Sequence, residues 1–341
     1  MGSVKDLTVL EAPEKEHPGR GRFIFSDRYS VFDWGEMPDH IDLKGTALCI
    51  AAAYFFEKLK EIGIQTHYLG LVEEGKTKSL SQINRPVNIL ETKLYRVLEP
   101  ELTEKGIYNY QIYKEEKGNY LIPLEIIYRN SLPEGSSVFK RLRNGELKPE
   151  YLRLSKIPHE SIDLQHPFLD VSTKLEASDK YLSWQEAQEI SQLTDQKIAE
   201  LSAITLKINQ MISKEAQRVG LKNEDGKFEF ALDQNRNIVL VDVLGTLDEC
   251  RFTFQGMPVS KEIARLYYRK SKWYQDITRA KKRNSSNWKQ YVENEPDPMP
   301  ARLKQLISMV YRAFTNEITE KEWFKGLPPL SKILKEVKKF I

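Results

Sequence analysis

The chain has 341 residues, 40% hydrophobic and 30% charged, which is typical of a soluble globular protein with two or three lobes. Its 52 lysines and arginines nearly balance 49 acids, the apolar run 46–56 is too short to span a bilayer, and no basic-then-apolar signal opens the chain, so we expect neither a nucleic-acid nor a membrane partner. Two cysteines exclude a disulfide framework, and a cytoplasmic location is expected.

Short strands and one helix are predicted in the first hundred residues. Apolar residues recur at helical spacing from Lys44 to Ile62, and Gly63 closes this helix. The predicted strands are 7–10, 23–25, 68–72, 87–90 and 93–97. A polar, tyrosine-rich connection at 101–118 is interpreted as a boundary between two lobes.

Later segments alternate between helices and strands. Ser183 begins a capping box that opens a long amphipathic helical region, which ends near Gly220 and is predicted to break at Thr194–Asp195. Strands 227–232 and 238–243 flank a turn-rich segment, which indicates a hairpin.

From residue 260 onward the pattern is helical and strongly charged, and the basic run Arg279–Arg283 is interpreted as a solvated helix face. Together the segments predict an α+β protein. We expect a β-rich N-terminal lobe at 1–118, an α/β lobe at 119–260 and a C-terminal helical segment at 261–341.

An anion site is predicted in the segment 123–141. An alternating strand carries Glu125 and Arg129, and a Pro-Gly-Ser turn containing Ser136 follows it. Backbone N–H groups of such a turn, with an arginine nearby, are suited to a phosphate. The alternative is a surface hairpin with an ordinary ion pair.

A metal site is predicted in the hairpin near residue 235. If 234–237 form a four-residue loop, Glu229 pairs with Asp242, and opposed residues lie about 5 Å apart on one face. Two adjacent carboxylates repel each other unless a cation joins them, and oxygen ligands favour Mg²⁺. The alternative is an exposed edge on which both acids are solvated.

Three further features bear on function. Gly2–Asp6 forms a small-residue turn whose Lys5 is suited to a triphosphate, although an expression-tag remnant would read the same way. The segment Asp27–Asp33 places charged residues just beyond a strand, where loops commonly carry function. No G-x-x-x-x-G-K-[ST] loop is present, which disfavours a Walker-type NTPase. His67 is interpreted as a buried core residue.

Taken in order, these segments resemble the SAICAR synthetase family of purine biosynthesis over about residues 2–251. The motifs that carry the resemblance are D-R-x-S-x-F-D at 27–33, Lys44-Gly45 with its aromatic-rich helix, Glu125-x-x-x-Arg129-Asn130 with Gly135-Ser136 and Lys140-Arg141, S-T-K-L-E at 172–176 with Asp179, D-x-K-x-E-F at 225–230, and Val241-Asp242 with Arg251.

The resemblance implies a two-lobed ATP-binding fold related to kinases and ATP-grasp proteins, with a C-terminal helical extension here. It also implies an enzyme that joins L-aspartate to a carboxyaminoimidazole ribonucleotide, using ATP and Mg²⁺ through an acyl phosphate. The expected partners are these small molecules, with a homo-oligomer as a further possibility.

Residue roles follow from the same resemblance. Arg129, Ser136 and Arg251 would hold the 5′-phosphate, and Asp225 the ribose hydroxyls. Lys227 and Asp33 would face the imidazole, and Glu125 would also contact substrate. Lys5 would bind ATP phosphates, and Glu229 and Asp242 would hold Mg²⁺. The catalytic residues would be Lys227, Glu229 and Asp242.

Some residues depart from the family pattern. Ser3 replaces a second lysine, the turn 131–134 is one residue longer than usual, and the tail 261–341 extends beyond the motifs. These departures leave two alternatives, which are a diverged ligase or kinase for another phosphorylated carboxylate and a non-catalytic ATP-binding protein.

Overall fold

The computed structural model describes residues 4–133, 135–259, 261–284 and 287–341. Its first third forms an antiparallel sheet with a long helix against it. The elements are β1 Lys5–Glu11, β2 Gly19–Phe25, α1 Lys44–Glu61, β3 Tyr68–Glu73, β4 Lys76–Lys78 and β5 Ile89–Leu94. In the sheet the strand order is β1-β2-β5-β3-β4. The predicted helix is confirmed.

The separate strands predicted at 87–90 and 93–97 are wrong, because β5 is one continuous strand. It pairs with β2 from Ile89 through Leu94 without interruption. The polar residues Glu91 and Thr92 between the two predicted strands are buried, and Glu91 is neutralised by Arg22 at 2.9 Å.

The connection 101–118 contains β6 Glu101–Leu102, β7 Tyr108–Asn109 and α2 Ile112–Glu115, and a second sheet follows it. Its elements and their helices are β8 Tyr120–Leu132, α3 Ser137–Arg143, β9 Ile162–Thr173, α4 Trp184–Ser191, α5 Asp195–Arg218, β10 Lys222–Leu232, β11 Ile238–Val241, β12 Cys250–Phe254 and β13 Met257–Pro258. The strand order is β13-β12-β10-β8-β9, and β11 also pairs with β10.

The predicted helical region and its break are confirmed. Ser183 and Glu186 form the reciprocal capping box of α4, and Thr194 caps α5 by accepting the N–H of Lys197 at 3.2 Å. The buried stripe of α5, which includes Leu201 and Ile208, packs against one face of β8 and β10.

The hairpin of β10 and β11 is confirmed, but its predicted register is wrong by one residue. Glu229 lies opposite Val241, not Asp242. The loop has five residues, because the N–H of Asp233 donates to the carbonyl of Asn237 and the Asp233 carboxylate accepts two loop N–H groups. The predicted turn at 131–134 also begins too early, since Ser131 and Leu132 belong to β8, and Glu134 lies outside the described residues.

The C-terminal segment is helical, as predicted, and packs against the first lobe. Its helices are α6 Glu262–Tyr268, α7 Lys272–Arg283, α8 Ala301–Thr319 and α9 Leu330–Val337. Helix α1 is buried almost all round because α8 covers the side that the first sheet leaves open. Within the described ranges, no helix is long and apolar enough to span a membrane.

A buried ion pair joins the three parts of the chain. Lys44, at the start of α1 and 1% exposed, donates to Asp248 at 2.6 Å, and Tyr311 of α8 donates to the same carboxylate at 2.6 Å. The helices and the antiparallel sheets described above confirm the α+β class. The division at residues 118 and 260 stays a prediction.

Candidate active site

One face of the second sheet carries most of the predicted site residues. Directly opposed residues of neighbouring strands share a face, and so do residues two apart along a strand. The register places Glu229, Glu125 and Ser172 in one row across β10, β8 and β9. The next rows on that face contain Lys227 with Asp170, and then Asp225 with Arg129. The opposite face is apolar and forms core with α5.

The arginine end of this face is a buried network of alternating charges. Arg129, 3% exposed, contacts Asp170 at 3.1 Å and Asp225 at 3.6 Å. Arg141 of α3 contacts the same Asp170 oxygen at 2.6 Å. Arg251 of β12 donates from Nε to Asp225 at 2.6 Å and forms a second bond to it. Three guanidinium groups thus face two carboxylates, which leaves one positive charge in excess.

Tyr181 connects this network to the start of α3. Its hydroxyl lies 3.3 Å from Arg129 and 2.8 Å from the Ser137 hydroxyl, and the Arg141 guanidinium lies 4.1 Å from the ring centroid. Ser136, predicted as a phosphate ligand, is the N-cap of α3 and accepts the N–H of Val138 at 3.4 Å. It therefore lies next to the network without a direct bond to Arg129.

At the other end of the face, carboxylates alternate with lysines. Lys174 bridges Glu229 at 2.7 Å and Glu125 at 3.3 Å, and Lys227 forms an ion pair with Glu125. The hydroxyl of Ser172, in the same row, is buried and has no hydrogen-bond partner among the described residues. An unpaired polar atom in a charged pocket is a position at which a ligand can bond.

Asp242 reaches this end although the hairpin register differs from the prediction. Its backbone is left-handed, with φ 61°, so the chain leaves the strand alternation immediately after Val241. Its carboxylate forms an ion pair with Lys5 at 2.6 Å, and its carbonyl oxygen accepts a hydrogen bond from His67 Nε2 at 3.0 Å. Aspartate tolerates this conformation better than most residues.

The carboxyl groups of Glu229 and Asp242 interact and titrate as a pair. Burial, together with the charge of Asp242, raises the pKa of Glu229 to about 7. Burial also disfavours the charge of Asp242, but Lys5 outweighs this and holds the pKa of Asp242 below its ordinary value. Asp242 and Glu249 likewise hold the pKa of Lys5 above its usual value despite burial. A cation bound beside a carboxyl group whose pKa is near 7 would stabilise the ionised form of that group.

A cavity of about 370 Å³ lies between the two sheets, beside this pair. Its lining includes the charged residues Lys5, Glu229 and Asp242 and the apolar residues Leu7, Phe23, Leu94, Val97 and Leu121. The lining therefore offers both charged groups and apolar side chains to a ligand. No cluster of three or more His, Cys, Asp or Glu suited to a metal occurs in the described part of the chain.

Asp33 lies apart from the sheet, on the loop after β2. Its side chain is 81% exposed and contacts Lys281 at 3.0 Å. Burial raises the pKa of Asp179, and the charges of Glu125 and Asp33 add to this rise. Asp33 therefore lies near enough to this cluster for its charge to act on Asp179.

Several residues of this site carry no assigned role in the sequence analysis. Asp170, Arg141 and Tyr181 complete the arginine network, and Lys174 bridges the two glutamates. Lys174 belongs to the S-T-K-L-E motif at 172–176, and this motif was the sequence feature that could have indicated its role. Strand β9, which carries Asp170, was not predicted because Pro167 interrupts its alternation, as is tolerated on an edge strand.

His67 gives the site a measurable pH dependence of stability. Burial lowers the pKa of His67 to about 4, from an ordinary value near 6.5. Between these values the unfolded chain binds the extra proton, so this stabilisation is complete above pH 6.5 and is lost as the pH falls to 4. We expect a loss of about 3 kcal/mol over this window.

Denaturant unfolding of the wild type and His67→Gln from pH 4 to 8 measures this contribution. The difference between the two proteins isolates the imidazole, because the carboxyl groups titrate in both. Parallel pH profiles would contradict a buried neutral His67.

The comparisons agree with this geometry. The family model described as SAICAR synthetase matches residues 13–282. A relative from Archaeoglobus fulgidus, provisionally named phosphoribosylaminoimidazole-succinocarboxamide synthase, is 50% identical over 341 residues, which is 100% of both chains. A Thermoplasma acidophilum protein of that name is 32% identical over 310 residues, covering 88% of this chain and 93% of its own.

Solved structures show the same fold. The SAICAR synthase of Saccharomyces cerevisiae complexed with SAICAR has a TM-score of 0.63 at 21% identity, covering 95% of this chain and 94% of its own. A SAICAR synthetase in complex with ADP has a TM-score of 0.54 at 20% identity, covering 87% and 99%. With a family model spanning most of its length and a half-identical relative over all of it, this chain belongs to the SAICAR synthetase family.

Proposed function

We propose that this protein ligates L-aspartate to the carboxylate of 5-amino-4-carboxyimidazole ribonucleotide, with ATP converted to ADP, and so forms SAICAR in purine biosynthesis. The observation that carries the proposal is one charged sheet face with arginines at one end and carboxylates with lysines at the other, beside a cavity between the sheets. The names of the relatives support the same reaction.

The arginine end is suited to the ribonucleotide phosphate. Arg129 and Arg251 would hold the 5′-phosphate with Ser136, and Asp225 would accept the ribose hydroxyls. Arg251 and Asp225 form an ion pair and neutralise each other. A phosphate dianion would take over part of this pairing, and the excess positive charge of the network favours its binding.

The middle of the face would then receive the imidazole. Lys227, Glu125 and Asp33 would surround the ring and its carboxylate, and the unpaired Ser172 hydroxyl lies in the same row as Glu125. The paired strands would then fix the distance between the phosphate and the reacting carboxylate, which favours catalysis by positioning.

ATP is suited to the cavity between the sheets. The apolar residues that line it would contact adenine, and Lys5 would bind the phosphates. Gly2 and Ser3, which precede Lys5, lie outside the described residues.

Glu229 and Asp242 fit a Mg²⁺ ion. Glu229 is buried and Asp242 half-buried, the pKa of Glu229 is raised to about 7, and Mg²⁺ usually takes one or two protein carboxylates together with substrate phosphates. A missing third protein ligand therefore agrees with this assignment. When bound, the ion would neutralise charge on the ATP phosphates.

The proposed chemistry has two displacements. A carboxylate oxygen of the ribonucleotide attacks the terminal phosphorus of ATP, and ADP leaves. The aspartate amine then attacks the acyl carbon, loses a proton, and inorganic phosphate leaves. Lys5, Lys174 and Lys227 would stabilise negative charge on the phosphoryl and carboxyl oxygens.

A coupled assay of ADP release tests the function. Purified protein receives ATP, Mg²⁺, the ribonucleotide and L-aspartate, and each is omitted in turn. We expect aspartate-dependent ADP release with formation of SAICAR. ATP binding without turnover would contradict the proposal; turnover of another phosphorylated carboxylate would then identify the diverged ligase, and its absence would favour the non-catalytic ATP-binding protein. A cytoplasmic location and a homo-oligomer stay predictions.

A further inference from the structure

The basic run Arg279–Arg283 at the end of α7 is more than the solvated face predicted from its sequence. Lys281 Nζ donates to the Asp33 carboxylate at 3.0 Å and to the carbonyl oxygen of Phe32 at 3.2 Å. Arg283 lies over the Tyr291 ring at 4.2 Å. A cation of the C-terminal segment therefore reaches the loop that carries a proposed substrate residue.

This loop has an unusual backbone. Phe32 and Asp33 both have positive φ, at 57° and 63°. Left-handed conformations cost about 1–3 kcal/mol for such residues and persist only where the surroundings enforce them. The N–H of Trp34 donates to the Val31 carbonyl at 3.2 Å, which closes the turn but does not fix its direction.

Aromatic residues of the C-terminal segment help to hold the loop in this backbone conformation. Phe32 packs against Tyr274 at 4.6 Å, and Trp34 against Trp273 at 5.5 Å and Trp288 at 6.0 Å, measured between ring centroids. Lys281 itself lies over the Trp288 ring at 4.6 Å. The aromatic contacts and the bond from Lys281 to the Phe32 carbonyl hold the loop, and Lys281 also bonds the Asp33 carboxylate.

The exposure of the pair indicates what it does. The side chains of Lys281 and Asp33 are 37% and 81% exposed, and such an ion pair contributes little to stability. Its consequence is geometric, because the bond to Lys281 limits the rotamers of the Asp33 carboxylate, whose charge acts on Asp179 of the site.

We propose that Lys281 is a positioning residue, which orients Asp33 toward the imidazole end of the ribonucleotide, so that the C-terminal segment completes the substrate site. The inference rests on the proposed function for the role of Asp33. Lys281 lies outside the charged sheet face and acts through the loop.

Steady-state kinetics of Lys281→Ala, with Lys282→Ala as the matched control, test the inference. Lys282 is exposed on the same helix, and its side chain has no partner within the described residues. We expect the KM for the ribonucleotide to rise about 10-fold in Lys281→Ala, with the KM for ATP and the melting temperature unchanged. Lys281→Arg should restore most of the affinity, whereas a purely structural residue would shift both KM values or neither.

A double-mutant cycle identifies the route of the effect. In an Asp33→Ala background, Lys281→Ala should cause no further loss of ribonucleotide affinity. A full additional 10-fold loss would overturn the inference, as would an unchanged KM in the single variant.

Amide hydrogen exchange separates this inference from the proposed function. Exchange across residues 31–35 should be faster in Lys281→Ala than in Lys282→Ala, whether or not the protein forms SAICAR. If the wild type forms no product but this difference is present, only the assigned reaction fails. Equal exchange in the two variants would refute the positioning role.

Discussion

Replacing Glu229 with glutamine is expected to abolish ligation while the protein remains folded. The amide keeps the shape of the side chain but cannot supply the negative charge that would bind Mg²⁺ beside Asp242. We expect turnover to fall by about 100- to 1,000-fold, the range for loss of a group that stabilises transition-state charge. Isothermal titration with Mg-ATP should show weaker, less Mg²⁺-dependent binding.

Glu224→Gln is the matched control for this change. Glu224 lies on the same strand, is also buried, and bonds the hydroxyls of Ser131 and Thr253 at the other end of β10. It should retain ligation. Normal Mg²⁺-dependent turnover in Glu229→Gln would remove Glu229 from the proposed metal site.

Replacing Arg129 with alanine is expected to cost both ribonucleotide binding and stability. Its guanidinium is buried between Asp170 and Asp225, so its loss leaves buried carboxylates without part of their compensation. Breaking such a pair typically costs about 3–5 kcal/mol in the free energy of unfolding. Thermal unfolding and calorimetric titration with the ribonucleotide measure the two effects.

Arg251→Ala separates these effects, because Arg251 is 35% exposed and sits at the edge of the network. A charge-assisted phosphate contact contributes about 1.5–3 kcal/mol, so affinity should fall about 10- to 150-fold with a smaller loss of stability. Arg143→Ala, an exposed arginine of α3, is the control. Unchanged ribonucleotide affinity in both Arg129→Ala and Arg251→Ala would refute the phosphate site.

Strands β8 and β10 and most charged residues of the site were predicted from the sequence, but strand β9 and the details of loop closure were not. Alternation along β8 and β10 predicts that Glu125 and Arg129 share a face, and the register confirms it. The hairpin register depended on whether Asp233 closes the loop by hydrogen bonds, which residue patterns do not determine. Asp242 still lies near Glu229 because its own backbone is left-handed, which no sequence periodicity predicts.

Contacts between residues far apart in the sequence could not be predicted either. The run Arg279–Arg283 shows only that the helix end is basic, and nothing local indicates that Lys281 meets Asp33, 248 positions earlier. Charge pattern limits which residues can pair, whereas the packing of Trp34 against Trp273 determines which of them do.

The burial of α1 between the first sheet and α8 has a consequence for synthesis. Ribosomes add about 5–20 residues per second, so α8 emerges roughly 12–50 seconds after α1. Throughout that interval the apolar side of α1 that α8 later covers has no native cover. We expect the nascent chain to expose this apolar surface to chaperones until residues 301–319 have left the ribosome.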